Sequence, residues 1–283
     1  MIQIPALVTF ANQKGGVGKT TLCVLFAHYL VAKGVRVRVF DCDAQLSIYR
    51  RRMADVDRYG QDAVKFPVEK CKFDNLEQVR ALLGEAFNNQ DYDVTLIDTP
   101  GNVTDKNTAT LLTNSDILAI PFHYDKTTLS STSLFIIGLE KHKRNLAKPM
   151  RTNLFLIPNL HDGRVGTRDE LKLWDEARDT YSRYGTVTPK VSRKADMERY
   201  SSVMFFDQQA KLVIPVFDKI YYDMFDTLDP IRKTEKSESE QKNPDTPTLI
   251  EMMHDLAEKP TSGIEQDDKP ETVKTDNNEN PEQ

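Results

Sequence analysis

Residues 6–21 join an uncharged apolar run to a glycine-rich loop bracketed by lysines, and no other feature restricts the fold so tightly. Ala6–Ala11 is short, apolar and bounded by the loop, so it reads as a strand buried on both faces. The loop is Lys14-Gly15-Gly16-Val17-Gly18-Lys19-Thr20-Thr21. Glycines let the backbone curve until several N–H groups point inward. The helix expected over 20–33, ending near Gly34, adds the N–H groups of its first turn. Such a strand–loop–helix unit cradles polyphosphate, so ATP and Mg²⁺ are the expected ligands. Lys19 is placed to reach the β- and γ-phosphates, and the Thr20 hydroxyl to ligate Mg²⁺. The commoner wording G-x-x-x-x-G-K-[ST] would put a glycine at position 13. Gln13 stands there, and Lys14 opens the loop instead. A second cation at that point supplies charge to the transferring phosphoryl group, as an arginine finger does.

Downstream, strands and helices alternate. Val35–Phe40 repeats with period two, Tyr92–Ile97 and Asp116–Pro121 are apolar runs, and Asn153–Pro158 is a fifth. Helical patterns occupy 74–88, about 127–146, and 168–183. A short strand is expected near Val187, a basic helix start near Arg193, and a helix near 217–227. This order predicts an α/β fold: a mostly parallel, twisted sheet with helices on both faces. Ligands on such a sheet sit at the carboxyl ends of the strands, and two acidic sites fall there. Asp43, in Asp41-Cys42-Asp43-Ala44-Gln45 after the second strand, is positioned to orient an attacking water. Asp98 closes the third strand and takes the role of an Mg²⁺-holding carboxylate with Thr20. Asp41 either supports the hydration of Mg²⁺ or caps the next helix.

Charge divides the chain in two. Residues 233–283 carry −8 and no aromatic side chain, whereas residues 1–232 carry +3, so the overall −5 does not argue against nucleic acid for the body. The expected organisation is an ATPase domain over 1–232 and a disordered acidic tail over 233–283. One stretch of the tail, 248–258, has apolar residues at helical spacing and reads as a docking helix or a transiently helical segment. Three cysteines without CxxC spacing indicate a reducing compartment. Neither a secretory signal nor an 18-residue apolar run is present, so a soluble cytoplasmic protein is expected.

Asn12-Gln13-Lys14-Gly15-Gly16-Val17-Gly18-Lys19-Thr20-Thr21 resembles the ParA/MinD family of deviant Walker A ATPases, closest to ParA-type partition ATPases. The resemblance covers about residues 4–225, with its specific wording at 12–21, 41–45 and 98–101. It implies a homodimer closed over two ATPs, with Lys14 reaching the partner's nucleotide, and hence slow, partner-stimulated hydrolysis. By the same resemblance Asp43 positions the water, although Ala44 stands where the family carries proline, and Asn159 contacts adenine. Lys190, Arg193, Lys194 and Arg199 fall where the family contacts DNA without sequence preference, which implies association with the nucleoid. An activating partner, ParB-like or a transfer protein, is expected. The P-loop strand starts near residue 4, which resembles the short form without an operator-binding extension.

Other uses of the same ATPase compare as follows. A MinD-like membrane role needs a basic amphipathic helix, but the tail's amphipathic stretch carries Glu251, Asp255 and Glu258, so no stable membrane anchor is expected. Iron–sulfur relatives need thiolates beyond the Asp98 strand, and no cysteine follows Cys71. Positioning of a protein assembly, assistance to conjugative transfer, and a nucleotide-dependent dimeric scaffold with little hydrolysis remain as alternatives.

Overall fold

The structure is a computed structural model that describes residues 4–101, 105–144, 152–164 and 166–225. Seven parallel strands form one sheet in the order β3-β2-β4-β1-β5-β6-β7. The strands are β1 (Ala6–Phe10), β2 (Val37–Asp41), β3 (Val68–Lys70), β4 (Val94–Asp98), β5 (Ile117–Phe122), β6 (Asn153–Pro158) and β7 (Thr186–Val187). The helices are α1 (Lys19–Ala32), α2 (Ser47–Tyr59), α3 (Leu76–Asn88), α4 (Lys106–Thr113), α5 (Lys126–Arg144), α6 (Arg168–Tyr181) and α7 (Asp207–Phe225).

Alternation along the strands sends side chains to two different cores. Ala6, Val8 and Phe10 of β1 join Val37, Val39, Leu96, Ala119 and Ile157 on one face, against α1, Ile48 of α2 and α7. Leu7, Phe40 and Ile97 face the other way, against Val79, Leu82 and Ala86 of α3 and Leu111 of α4. Farther along that second face, Leu118, Ile120 and Leu154 pack on Phe135 and Leu139 of α5. Leu156 then meets Trp174 and Tyr181 of α6. Because helices cover both faces, the inner strands are buried along their length, and β1, β2, β4 and β5 have no exposed residue.

Every strand foreseen from the sequence is present, with β2 starting at Val37 rather than Val35. Three elements were given no bounds from the sequence, α2 being expected only as the helix after Asp41. The interior of α2, Tyr49-Arg50-Arg51-Arg52, reads as a solvated charge run, yet Arg52 and Asp55 are buried. β3 is a three-residue edge strand, and α4 is an eight-residue helix. α7 begins at Asp207 rather than near 217, and Pro215 inside it masks its first half in the sequence. The helix start expected near Arg193 is corrected: the region holds a short 3-10 helix, Ala195–Arg199, with Lys194 at its N-cap. The boundary at 232, the tail and the 248–258 stretch lie outside the described residues.

The buried charges of α2 have work to do. The Asp55 carboxylate accepts hydrogen bonds from the Ser202 N–H (2.6 Å) and from the Ser201 and Ser202 hydroxyls (3.0 and 2.9 Å). Arg52 donates to Ser202 Oγ (3.1 Å), to the Ser202 carbonyl (2.8 Å) and to the Phe66 carbonyl. The segment after the 3-10 helix is thus fixed to α2. Asp55→Ala strands the buried Ser202 N–H and the Arg52 charge, so it should lower unfolding free energy by about 2–4 kcal/mol, read as a lower urea midpoint with unchanged slope.

Candidate phosphate and metal site

The loop at the carboxyl end of β1 is held from below by Asn12, a buried residue to which the sequence reading gave no separate role. Its Nδ2 donates to the Pro121 carbonyl (2.8 Å) and to Thr132 Oγ1 (3.0 Å), while its Oδ1 accepts from the Lys14 N–H (3.2 Å). Gly16 and Gly18 take φ of +75° and +93°, the left-handed region that side chains disfavour. A Cβ at Gly18 would also lie 2.2 Å from Asn159 Nδ2. Asn159 comes from the end of β6 and donates to the Val17 carbonyl at 2.8 Å, so its amide nitrogen supports the loop. Its Oδ1 is buried without a hydrogen-bond partner. A Cβ at Gly15 would meet no atom within 4 Å, which leaves that stretch of backbone open to an incoming anion.

Lys19 opens α1, is buried, and points its Nζ back to the Lys14 carbonyl at 3.5 Å. Burial lowers its pKa from the ordinary value, while the charges of Asp98 and Asp43 act in the opposite direction. Thr20 Oγ1 donates to Asp98 Oδ2 at 2.7 Å. The other Asp98 oxygen, Oδ1, is buried and has no partner. Asp41 is the register partner of Asp98 on the neighbouring strand. Its Oδ2 accepts the N–H groups of Ile48 and Tyr49, each at 3.0 Å. Asp41 therefore caps α2, the second of its two expected roles. Asp43 follows in the loop between β2 and α2, where its Oδ1 accepts the Gln45 N–H at 2.8 Å. It is half-exposed and lines a cleft of about 540 Å³ with Cys42, Cys71 and Pro100. Lys14 is half-exposed and makes no ion pair among the described residues.

This oxygen-rich corner fits a hard divalent cation. The Thr20 hydroxyl and the unpartnered Asp98 oxygen are the donors Mg²⁺ prefers, and a buried carboxylate oxygen without a partner is otherwise costly. Burial, with the nearby Asp41 charge, raises the Asp98 pKa to about 7. Among the residues expected at the site, Lys19 reaches back to the Lys14 carbonyl and feels the charges of Asp98 and Asp43, Thr20 bonds Asp98, and Asn159 bonds the Val17 carbonyl, while Thr21 follows in the first turn of α1.

The four basic candidates are exposed. Lys190 lies over the Tyr124 ring, its Nζ 5.3 Å from the centroid, and the Arg193 N–H donates to the His161 carbonyl. Arg199 ends the 3-10 helix beside Tyr200, whose ring lies 5.5 Å below the Arg51 guanidinium of α2. The structure therefore adds the exposed Arg51 to the Arg199 side.

Residues 8–259 match the family model described as the CobQ/CobB/MinD/ParA nucleotide binding domain. The chain belongs to this nucleotide-binding family. Its resemblance to ParA/MinD ATPases is carried further by a chromosome-partitioning ATPase, Soj, from Thermus thermophilus, 25% identical over 218 residues, 70% of this chain and 86% of Soj. Among solved structures, a plasmid partition protein of Borrelia burgdorferi B31 bound to AMPPNP aligns with TM-score 0.57 at 22% identity, over 78% of this chain and 99% of that one. Cobyrinic acid a,c-diamide synthase from Mycobacterium smegmatis, with ADP and magnesium, aligns with TM-score 0.56 at 18% identity, over 82% and 100%. Both structures share the fold of this family member. No helix among the described residues is long and apolar enough to cross a membrane.

The raised Asp98 pKa gives a signed expectation for the metal-free protein. A carboxyl whose folded pKa exceeds its unfolded value stabilises the fold while protonated, and loses that contribution as pH rises through the folded value. The metal-free chain should therefore lose stability between about pH 4 and 7, and Asp98→Asn should flatten that slope, both measured by thermal melts in EDTA. Added Mg²⁺ requires the ionised form, so its stabilising effect in the wild type should grow over the same interval.

Proposed function

We propose that the chain is a ParA-type switch ATPase, in which two protomers close over two molecules of Mg-ATP and hydrolysis reopens them. The observation that carries this reading is Lys14, a half-exposed cation without an ion pair among the described residues, on a loop whose own phosphates are already served by Lys19. A lysine so placed has no phosphate task within its own protomer that Lys19 does not perform, whereas it suits the nucleotide of a facing copy.

Lys14 through Thr21 bind the phosphates, with the backbone at Gly15, Gly16 and Gly18 supplying N–H groups and Lys19 and Lys14 supplying charge. Thr20 and Asp98 hold Mg²⁺, which when bound offsets phosphate charge. Asp43 orients the attacking water from the cleft and accepts its hydrogen bond. The unpartnered Asn159 Oδ1 is the group available to the adenine amino group. On the outer surface, Lys190, Arg193, Lys194 and Arg199 contact DNA phosphates without reading sequence. The partition roles for which Soj and the Borrelia protein are named support segregation of DNA as the task, with a ParB-like or transfer protein as activator and no stable membrane anchor.

Size-exclusion chromatography with light scattering, run with ATP or ADP, separates this switch from a passive scaffold. Lys14→Ala should keep ATP affinity within about threefold and lose the ATP-dependent dimer, with turnover down roughly 100-fold. Asp43→Ala should instead hold the ATP dimer and abolish its decay. A dimer equally populated with ATP and ADP in both variants would sink the switch.

DNA binding is tested separately, by titrating a random-sequence duplex at several salt concentrations. Arg193→Ala with Arg199→Ala should weaken binding by about 10-fold and shallow the log–log salt slope by roughly one unit per lost phosphate contact, leaving ATP affinity unchanged. An unaltered slope would remove these residues from the interface.

A further inference from the structure

Beyond nucleotide and DNA, the cleft beside Asp43 holds two sulfur atoms to which none of the roles above gives a task. β2 and β3 pair in parallel with Asp41 opposite Lys70, and the Cys71 N–H donates to the Asp41 carbonyl at 3.0 Å. The next step of that register sets Cys42 opposite Cys71. Both side chains lie on the same face of the sheet, with Phe40 and Phe73, and both line the cleft. Both thiols belong to one apolar cluster, and the Cys71 S–H reaches the Lys72 carbonyl at 3.8 Å. Adjacent strands are about 4.8 Å apart, and disulfides span Cα separations of roughly 4.4–6.8 Å, so the pair can close with little backbone movement. Cys42 is buried, whereas Cys71 is half-exposed at the cleft's mouth. The third cysteine, Cys23, is buried in α1 in the core on the opposite face.

We propose that Cys42 and Cys71 form a modification site for low-molecular-weight disulfides, closing to a reversible internal disulfide that restrains the Asp43 loop. In the first step the Cys71 sulfur attacks one sulfur of the small disulfide, whose S–S bond breaks and releases one thiol that takes up a proton. The Cys42 sulfur then attacks Cys71, displaces the second small thiol, and completes the internal bond. Two electrons and two protons leave the protein, and one small disulfide becomes two thiols. Hydrogen bonding from Cys42 lowers the Cys71 thiol from its ordinary value, which suits Cys71 to the attacking role.

The position of the bond determines its effect. Cys42 lies between the residue that caps α2 and the one assigned to the attacking water, and its N–H donates to the Asp98 carbonyl at 3.0 Å. A bond tying Cys42 to the end of β3 restrains Asp43, the next residue, in its movement relative to the phosphate loop. This consequence rests on the ATPase reading, whereas the modification itself does not.

The full-length protein, reduced and then incubated with oxidised glutathione, provides the test. Intact mass should fall by about 2 Da, peptide mapping should join Cys42 to Cys71, and ATP turnover should drop on the order of tenfold and return with dithiothreitol. Cys71→Ser should turn over at the reduced wild-type rate and ignore oxidised glutathione. Cys42→Ser should stop at a stable glutathione adduct on Cys71. A wild type that remains at the adduct, or shows no mass change, overturns the site. An internal bond with unaltered turnover overturns the restraint on Asp43. Should the reduced protein show no turnover at all, the ATPase reading fails, while the mass and mapping results still decide the modification.

Discussion

The hydrogen bond from Thr20 to Asp98 is the fastening on which the site depends. It joins the first turn of α1 to the end of β4 at 2.7 Å and so fixes where the helix N-terminus points. Without that tie, the loop of residues 14–18 would connect a strand to a helix with no defined angle between them. Asn12 secures the other side, linking the loop to β5 and α5 through the Pro121 carbonyl and the Thr132 hydroxyl. The curvature demanded by Gly16 and Gly18 is therefore held between two buried polar anchors rather than by the glycines themselves.

Three buried ionisable groups, Lys19, Asp41 and Asp98, share this corner, and each is handled differently. Lys19 faces two acids. Asp41 turns one oxygen to the N-terminus of α2, where backbone dipoles favour a negative charge. Asp98 keeps an oxygen without a partner and has its pKa raised to about 7. Asp41 likewise keeps one buried oxygen, Oδ1, without a partner, so both acids leave a free acceptor at this corner. The corner is less stable than a fully paired one would be.

The sheet and its ligand-bearing edge were legible because parallel strands covered on both faces need long apolar runs, and β1, β4 and β5 have them. Gly15, Gly16, Gly18, Lys19, Thr20 and Asp98 were legible for a second reason: phosphate and Mg²⁺ restrict which residues fit, and the order of those residues along the chain is fixed by the strand–loop–helix path. What escaped was long-range. Nothing near Arg52 or Asp55 in sequence indicates that their charges are satisfied by Ser201 and Ser202. Read locally, α2 is merely a basic run. Asn159 was tied to adenine by resemblance alone, while its hold on the Val17 carbonyl is visible only in three dimensions. The Cys42–Cys71 neighbourhood likewise follows from β3, a strand too short to announce itself.

The pinning of Ser201 and Ser202 to α2 makes that helix a lever. Its N-terminus hangs from Asp41, directly after which comes the loop bearing Asp43, and its side carries Arg51 against Tyr200 and the end of the 3-10 helix. Any tilt of α2 that follows a rearrangement at the phosphates would sweep Arg51 and Arg199 through space together. The inner acids and the outer arginines are thus joined through one helix, with the buried Asp55 carboxylate as the joint between α2 and the segment that follows Arg199.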